Sequence, residues 1–311
     1  MGRSYGAGVL SSTELVVGRG FTVTDVQCGG HGRGWSGLES PGSFRLVLVR
    51  RGRFRRRVRS GVAELDRTVG YLGVPREEEH FAHPAGGDVC TSVGVAPALW
   101  RELVGEHGAL PRAAFYVDAG LELVHRRALR AAGDAAGDAH FAVAEQLTAL
   151  VVGAVRQVVN GPLPGSGRSA DADAAMVAAA RAAILVGHPS ADGLFPLAEL
   201  LGVSPYRLSR AFPRTVGVSL TRFRNRVRVG RAVDRLAQGE PSLATLAADL
   251  GFADQAHLTR MVREHLGDTP TALRRLLAAA PVGATPAHRP APAAGERGPG
   301  SGGRVHRAAP R

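Results

Sequence analysis

Lysine is absent from this 311-residue sequence, so all 39 basic residues are arginine. That preference reads as the mark of a GC-rich genome as much as of selection for an anionic partner. Cysteine is nearly absent too. Cys28 and Cys90 are the only two, too few to staple a chain of this length, which fits a reducing, cytoplasmic compartment. No run of eighteen apolar residues occurs: the best candidate, Ala142 to Val159, is interrupted by Glu145, Gln146 and Arg156. The N-terminus has no basic start followed by an apolar core, so neither a membrane span nor a secretion signal is expected. The patterns G-x-x-x-x-G-K-[ST], G-x-S-x-G and H-E-x-x-H are missing as well, which sets aside the phosphate loop, the hydrolase nucleophile elbow and the zinc-protease helix. The segment Gly30 to Gly34 (GHGRG) lacks dinucleotide spacing and precedes no helical pattern, so it reads as a loop.

What is present suits two domains. The hydrophobic fraction is 44%, ordinary for a globular chain able to bury a core in each half. The formal charge of +12 favours an anionic partner such as nucleic acid. The surplus is spread along the chain, however, so it only raises a prior.

Between Phe44 and Val95 the runs Phe44–Arg50, Phe54–Arg59, Val62–Asp66, Val69–Val74 and Val89–Val95 are short, apolar or β-branched, and separated by glycine, proline or charge. They predict strands of a barrel or sandwich, with Arg51-Gly52 as the hairpin turn between the first two. From Ala98 the pattern turns helical, over Leu99–His107, Leu121–Ala132 and His140–Asn160. The expected organisation is a β-rich then helical domain over 1–160, a Pro/Gly/Ser linker at 161–170, a helical domain over 171–280 and a disordered Pro/Ala/Gly/Arg tail over 281–311.

The helical half repeats one plan. In the first copy, Leu197 to Gly202 (LAELLG) is a short helix ended by glycine; Ser204 then offers an N-cap, and Pro205 opens a helix carrying Tyr206, Leu208, Arg210 and Phe212. In the second, Leu246 to Gly251 (LAADLG) is followed by an Asp254 cap and a helix bearing Gln255, His257, Leu258, Arg260 and Val262, ended by Gly267. Ala198 and Ala247 each precede the turn glycine by four residues, where a small side chain lets two helices cross closely. Between the copies, Ser219 caps a helix ended by Gly239. About twenty residues span about 30 Å, close to the roughly 34 Å between successive major-groove turns on one face of B-DNA. Its arginines, Arg224, Arg228, Arg231 and Arg235, read as a solvated face with acidic neighbours, with phosphate contact as the alternative.

These residues resemble the AraC/XylS family of transcription regulators. The resemblance covers Leu194 to Leu277 and rests on SPYRLSRAF (Ser204–Phe212), Gly217, FRNRVRVGRA (Phe223–Ala232), LAADLGFADQAHLTRMV (Leu246–Val262) and GDTPTALRR (Gly267–Arg275). Pro213 departs from it and is expected to shorten the first recognition helix; Leu258, Val262 and Leu273 replace the family's usual aromatics at core positions. The resemblance implies an α+β chain: a cupin-like β-barrel domain with following helices, then an all-α domain of two helix-turn-helix units joined by a long helix. It implies base-edge contacts from Tyr206, Ser209 and Arg210 in the first unit, and from Gln255, Ala256, Thr259 and Arg260 in the second. The chemistry suits them, since arginine pairs with guanine, glutamine with adenine and alanine touches a thymine methyl. Against these stand an intradomain ion pair for Arg210 and a capping role for Gln255, while His257 reads as structural. The implied partners are promoter DNA, RNA polymerase, a small effector and a second copy of the chain; neither a cofactor nor a membrane is expected.

In the N-terminal half the layout and the hairpin RLVLVRRGRFRRRV (Arg45–Val58) carry the resemblance. Arg55, Arg57 and Arg59 alternate onto one strand face, expected to be solvated, with an anionic effector or acidic partner as the alternative. The histidine array of catalytic cupins is missing, and only His80 and His83 stand close together. Two readings of Cys28, His31, His80, His83 and Cys90 are open: buried cysteines with surface histidines, or a converging zinc or redox site. Repair enzymes of the Ada type carry the same DNA-binding module but need four zinc-binding cysteines, and two are present. A non-enzymatic regulator is therefore the expectation, responsive to an effector or acting through protein contacts alone.

Overall fold

The computed structural model describes residues 10–29, 34–105, 114–133, 139–160 and 168–277. All of them belong to one compact unit. The expected tail at 281–311, His31 and the first part of the expected linker lie outside the described residues; Arg168 to Ala170 already belong to a helix.

The N-terminal half is antiparallel β. Strands β1 (Leu10–Gly18), β2 (Phe21–Cys28), β3 (Phe44–Arg51), β6 (Val69–Gly73), β8 (Asp88–Val95) and β9 (Ala114–Tyr116) form a six-stranded sheet in the order β1-β2-β8-β3-β6-β9. A second sheet, in the order β5-β4-β7, holds β4 (Phe54–Val58), β5 (Gly61–Leu65) and β7 (His80–Ala82). Strand β3 shows how the layers are built. Its run Leu46-Val47-Leu48-Val49 is buried throughout, as expected of a strand covered on both faces. Leu46 and Leu48 join a core shared with helices α1 (Pro97–Val104), α2 (Ala119–Gly133) and α3 (Ala139–Asn160). Val47 and Val49 turn the other way and pack with Phe54 and Leu65 of the small sheet. The result is three layers: helices, large sheet, small sheet.

The Arg51-Gly52 turn is not a hairpin. Strand β3 pairs with β6 and β8, and β4 pairs with β5 and β7. Both edges of β3 are occupied, so the chain crosses from one sheet to the other. Gly52 (φ +75°) makes the crossing possible, because a Cβ there would meet the Gly87 carbonyl oxygen at 2.4 Å. Strands β1 and β2 escape an apolar-run reading because polar Ser, Thr and Asp interrupt them, and β1 lies at the sheet edge. Strands β7 and β9 have three residues each, too few for a periodic signal.

Helix α3 explains the apolar stretch seen in the sequence. His140–Val159 is long and apolar enough to cross a membrane by composition, but Val143, Leu147, Leu150, Val151, Ala154, Val155 and Val158 are buried in the core against the large sheet.

The C-terminal half is helical: α4 (Arg168–Val186), a 3-10 turn (Pro189–Asp192), α5 (Leu194–Leu200), α6 (Pro205–Val216), α7 (Leu220–Ala237), α8 (Leu243–Asp249), α9 (Gln255–Leu266) and α10 (Pro270–Leu277). Two clusters hold it. Phe212, Phe223 and Val227 anchor the first around α5–α7, and Val229, Leu236, Leu246, Leu258, Val262 and Leu273 anchor the second around α7–α10. The three leucine and valine replacements of the family's aromatics are all fully buried.

Candidate nucleic-acid interface

Each helix-turn-helix is set by its turn and cap. Gly202 (φ +64°) and Gly251 (φ +71°) take the left-handed conformation between the paired helices. Ala198 and Ala247 are buried at the crossings. The Ser204 hydroxyl accepts from the Arg207 backbone N–H at 3.2 Å, and the Asp254 carboxylate accepts from that of His257 at 2.6 Å, so each second helix begins with a side-chain cap. Pro213 does not shorten α6. The helix runs on to Val216, and the Gly217 N–H donates to the Pro213 carbonyl at 2.9 Å. Buried Phe212 and Val216 on either side of Pro213 fix the last turn despite the missing donor.

Tyr206 is 70% exposed, and Ser209 and Arg210 are exposed beside it on α6. On α9, Gln255, Ala256 and Arg260 are exposed and Thr259 is half-buried. The Arg210 guanidinium lies 5.7 Å from the centre of the Tyr206 ring, and among the described residues neither it nor Arg260 enters an ion pair. Asp254, not Gln255, supplies the cap. The Ser209 and Thr259 hydroxyls donate back to Tyr206 and Gln255 carbonyls of their own helices at 3.0 and 2.9 Å. His257 is structural: its Nδ1 accepts from the Ala253 N–H at 3.2 Å, and its ring stands edge-on to Phe252.

The α7 arginines are intramolecular ties. Arg228 pairs with Asp192 at 3.1 Å, Arg231 donates to the Ile184 and Leu185 carbonyls at the end of α4, and Arg235 pairs with Asp249 and Glu240. Half-buried Arg224 is the remaining member.

Sequence reasoning missed Arg226, which is 1% exposed. It lies on the inward stripe of α7, between Phe223 and Gly230, and joins the two halves of the molecule. Its Nε donates to the Val117 carbonyl at 3.0 Å, and its guanidinium pairs with Glu122 of α2 at 2.7 Å. Arg67 and Arg126 reach the same carboxylate at 2.8 and 2.5 Å and also contact Asp234 of α7 at 3.0 and 2.6 Å. Burial would raise the Glu122 pKa, but Arg226, Arg126 and Arg67 together hold it well below the usual carboxylate range. Arg181 of α4 pairs with buried Asp66, and Tyr116 packs 6.2 Å from Phe223.

The arginines of β4 divide by strand alternation. Arg55 and Arg57 lie over the Trp35 ring, 5.5 and 4.6 Å from its centre, and Arg59 is exposed beyond the strand. Arg56 faces inward instead, 1% exposed, bonded to Glu77 and Glu79 at 2.6 and 3.1 Å. The histidines separate: His80 Nδ1 lies 3.0 Å from the Ser36 carbonyl oxygen, while His83 faces Asp88.

A family model described as a helix-turn-helix domain matches residues 197–276. The chain is 38% identical over 95 residues to the HTH-type transcriptional regulator RipA of Corynebacterium glutamicum, covering 30% of this chain and 28% of that protein. It is 28% identical over 80 residues to the bifunctional transcriptional activator/DNA repair enzyme AdaA of Bacillus subtilis, covering 26% and 38%. Thus the chain matches well under half the length of either relative. Among solved structures, the C-terminal domain of AraT, a response regulator from Geobacillus stearothermophilus, is similar at 29% identity and a TM-score of 0.30, over 32% of this chain and 84% of that one. ToxT from Vibrio cholerae O395 overlaps 84% of this chain and 99% of its own at 10% identity and a TM-score of 0.32, values too low to bear on the N-terminal half. With its caps, turn glycines and buried alanines in place, the segment 197–276 is a helix-turn-helix domain of the AraC/XylS regulator family.

Proposed function

We propose that this protein is a cytoplasmic bacterial transcription regulator that binds promoter DNA sequence-specifically and responds to a small effector. The observation that carries the reading is the pair of capped helices α6 and α9, each presenting an exposed arginine with smaller polar or apolar neighbours. In this reading Tyr206, Ser209 and Arg210 face one major groove, and Gln255, Ala256, Thr259 and Arg260 the next. Helix α7, with 18 residues and a length of about 27 Å, is the spacer. RNA polymerase and a second copy of the chain are the expected protein partners.

A cavity of about 390 Å³ supports the effector reading. It lies between the large sheet and helices α1 and α3. Phe21, Val93, Leu99, Leu147 and Val151 form apolar walls, and Arg19 and His140 supply the polar groups. That size and mix suit a small, largely apolar molecule with an anionic end. An occupant pressing on α3 would be felt by α2, which packs against it (Gly153 lies so close to Leu121 that a Cβ would clash). Helix α2 carries Glu122 and Arg126, the groups bonded to α7. Genome-wide mapping of protected sites tests the DNA reading, and a complete lack of discrete sites overturns it. A thermal-shift screen tests the effector reading, since a ligand of the native state raises the melting temperature. A panel of amphipathic carboxylates that leaves it unchanged favours a regulator acting through protein contacts alone.

A further inference from the structure

Two of the residues left open in the sequence, Cys28 and His83, meet at the mouth between the two sheets. Cys28 ends β2 and lies opposite Asp88, the first residue of β8; side chains directly opposite in an antiparallel pair share a face. His83 follows β7 of the small sheet and opens the turn His83-Pro84-Ala85-Gly86, closed by the Gly86 N–H donating to the His83 carbonyl at 3.3 Å. The return from that turn runs so close to β2 that a Cβ at Gly87 would lie 2.4 Å from the Cys28 carbonyl oxygen. Glycine there brings the histidine loop down onto the cysteine. The His83 ring is held by stacking on Phe54, 5.6 Å between centres.

From this geometry we propose that Cys28, His83 and Asp88 bind a divalent cation of the zinc class, with Cys90 positioning Asp88. The sulfur, ring nitrogen and carboxylate oxygen all lie within 4.8 Å of one another. Tetrahedral zinc with bonds of about 2.0–2.3 Å needs its ligand atoms about 3.3–3.8 Å apart, a difference within the reach of side-chain rotation. A second observation points the same way. Asp88 is almost wholly buried, and its Oδ1 lies 3.0 Å from His83 Nε2. The two are close enough to share a proton, and a cation seated between them would take that proton's place with only a small outward rotation of either side chain. The other oxygen, Oδ2, accepts from the Cys90 thiol at 3.0 Å, the kind of outer contact that orients a ligand. One thiolate, one imidazole and one carboxylate favour zinc over calcium or magnesium, which prefer all-oxygen sets. The fourth position is left to water or an incoming group, and half-buried Cys28 and His83 leave a path to it. An ion here would tie the large sheet to the small one.

The experiment uses the full chain, untagged, stripped with a chelator and titrated with Zn²⁺ against a chromophoric competitor. The expected result is one equivalent bound, with the affinity reduced at least tenfold in Cys28→Ser, His83→Ala and Asp88→Asn, and unchanged in His80→Ala. Cys90→Ala is expected to keep the stoichiometry while weakening binding about tenfold, as loss of an outer-shell partner does. Co²⁺ substitution of the wild-type chain needs no variant, and is expected to give tetrahedral ligand-field bands with a thiolate charge-transfer band that Cys90→Ala retains. An octahedral Co²⁺ spectrum without the thiolate band overturns the site, as does equal Zn²⁺ binding by wild type and Cys28→Ser. Loss of the thiolate band in Cys90→Ala overturns the ligand assignment.

Discussion

His125 shows what burial does to a single residue. Its ring is enclosed beneath the large sheet, with Nε2 2.8 Å from the Thr91 hydroxyl. Burial, and then the charge of Arg50, push its pKa down to about 3, so it is neutral when folded and titrates normally when unfolded. The folded pKa is depressed, so the stabilisation is complete above about pH 6.5 and is lost as pH falls toward 3. Unfolding free energy should therefore decrease by up to about 1.4 kcal/mol per pH unit in that window, and chemical denaturation of His125→Gln should show a flatter profile there. On the proposed recognition surface, Arg210→Ala and Arg260→Ala are each expected to weaken a specific site by about 1–3 kcal/mol and to relax one base position. Gel-shift titration against an operator series reads this; equal weakening on all sequences would make the residue a phosphate contact instead. The exposure of both arginines, and the engagement of Arg228, Arg231 and Arg235 elsewhere, is why the former pair are the ones to test.

At the scale of elements, caps and turn glycines set where α6 and α9 begin and end. Helix α9 depends on Asp254, whose carboxylate accepts from the His257 N–H, and His257 in turn secures the Ala253 N–H. Asp254→Ala should destabilise the chain by about 1 kcal/mol, and fraying at Gln255 and Ala256 should weaken the second half-site more than the first. Thermal melts and half-site binding measure the two effects, and an equal loss on both half-sites would contradict the assignment of α9 to one groove. These features were legible in the sequence because a cap, a proline at the first position and a positive-φ glycine act over four or five residues. Pro213 departs from its local rule for the complementary reason: helix length there depends on packing around Phe212 and Val216 from other helices, which no local rule contains.

Across the whole molecule, the two halves share an ion network built around buried Glu122 and Arg226. Glu122 receives Arg67, Arg126 and Arg226, and Asp234 of α7 takes a second bond from two of them. Glu122→Gln leaves buried Arg226 without its charge partner, while half-buried Arg67 and Arg126 keep Asp234, and should cost about 2–3 kcal/mol, below the full penalty of a wholly buried pair. Hydrogen exchange is expected to rise in α2 and α7 while β3 and β8 stay protected; a uniform rise would mean that the network supports the fold as a whole rather than the junction. None of this was legible in the sequence. Arg67, Glu122 and Arg226 are far apart along the chain, and a charged residue on a helix reads by default as solvated. The same holds for Arg56 and Asp88; Cys28 and His83 stand out in the sequence as candidates, but only the fold shows that they meet. What the sequence by itself determined is the C-terminal module, because helix periodicity, caps and turn glycines are local and repeat at fixed spacing. What only the tertiary structure decided is which strands pair, where Arg51-Gly52 leads the chain, and which charges are buried against one another, because those depend on contacts between residues tens of positions apart.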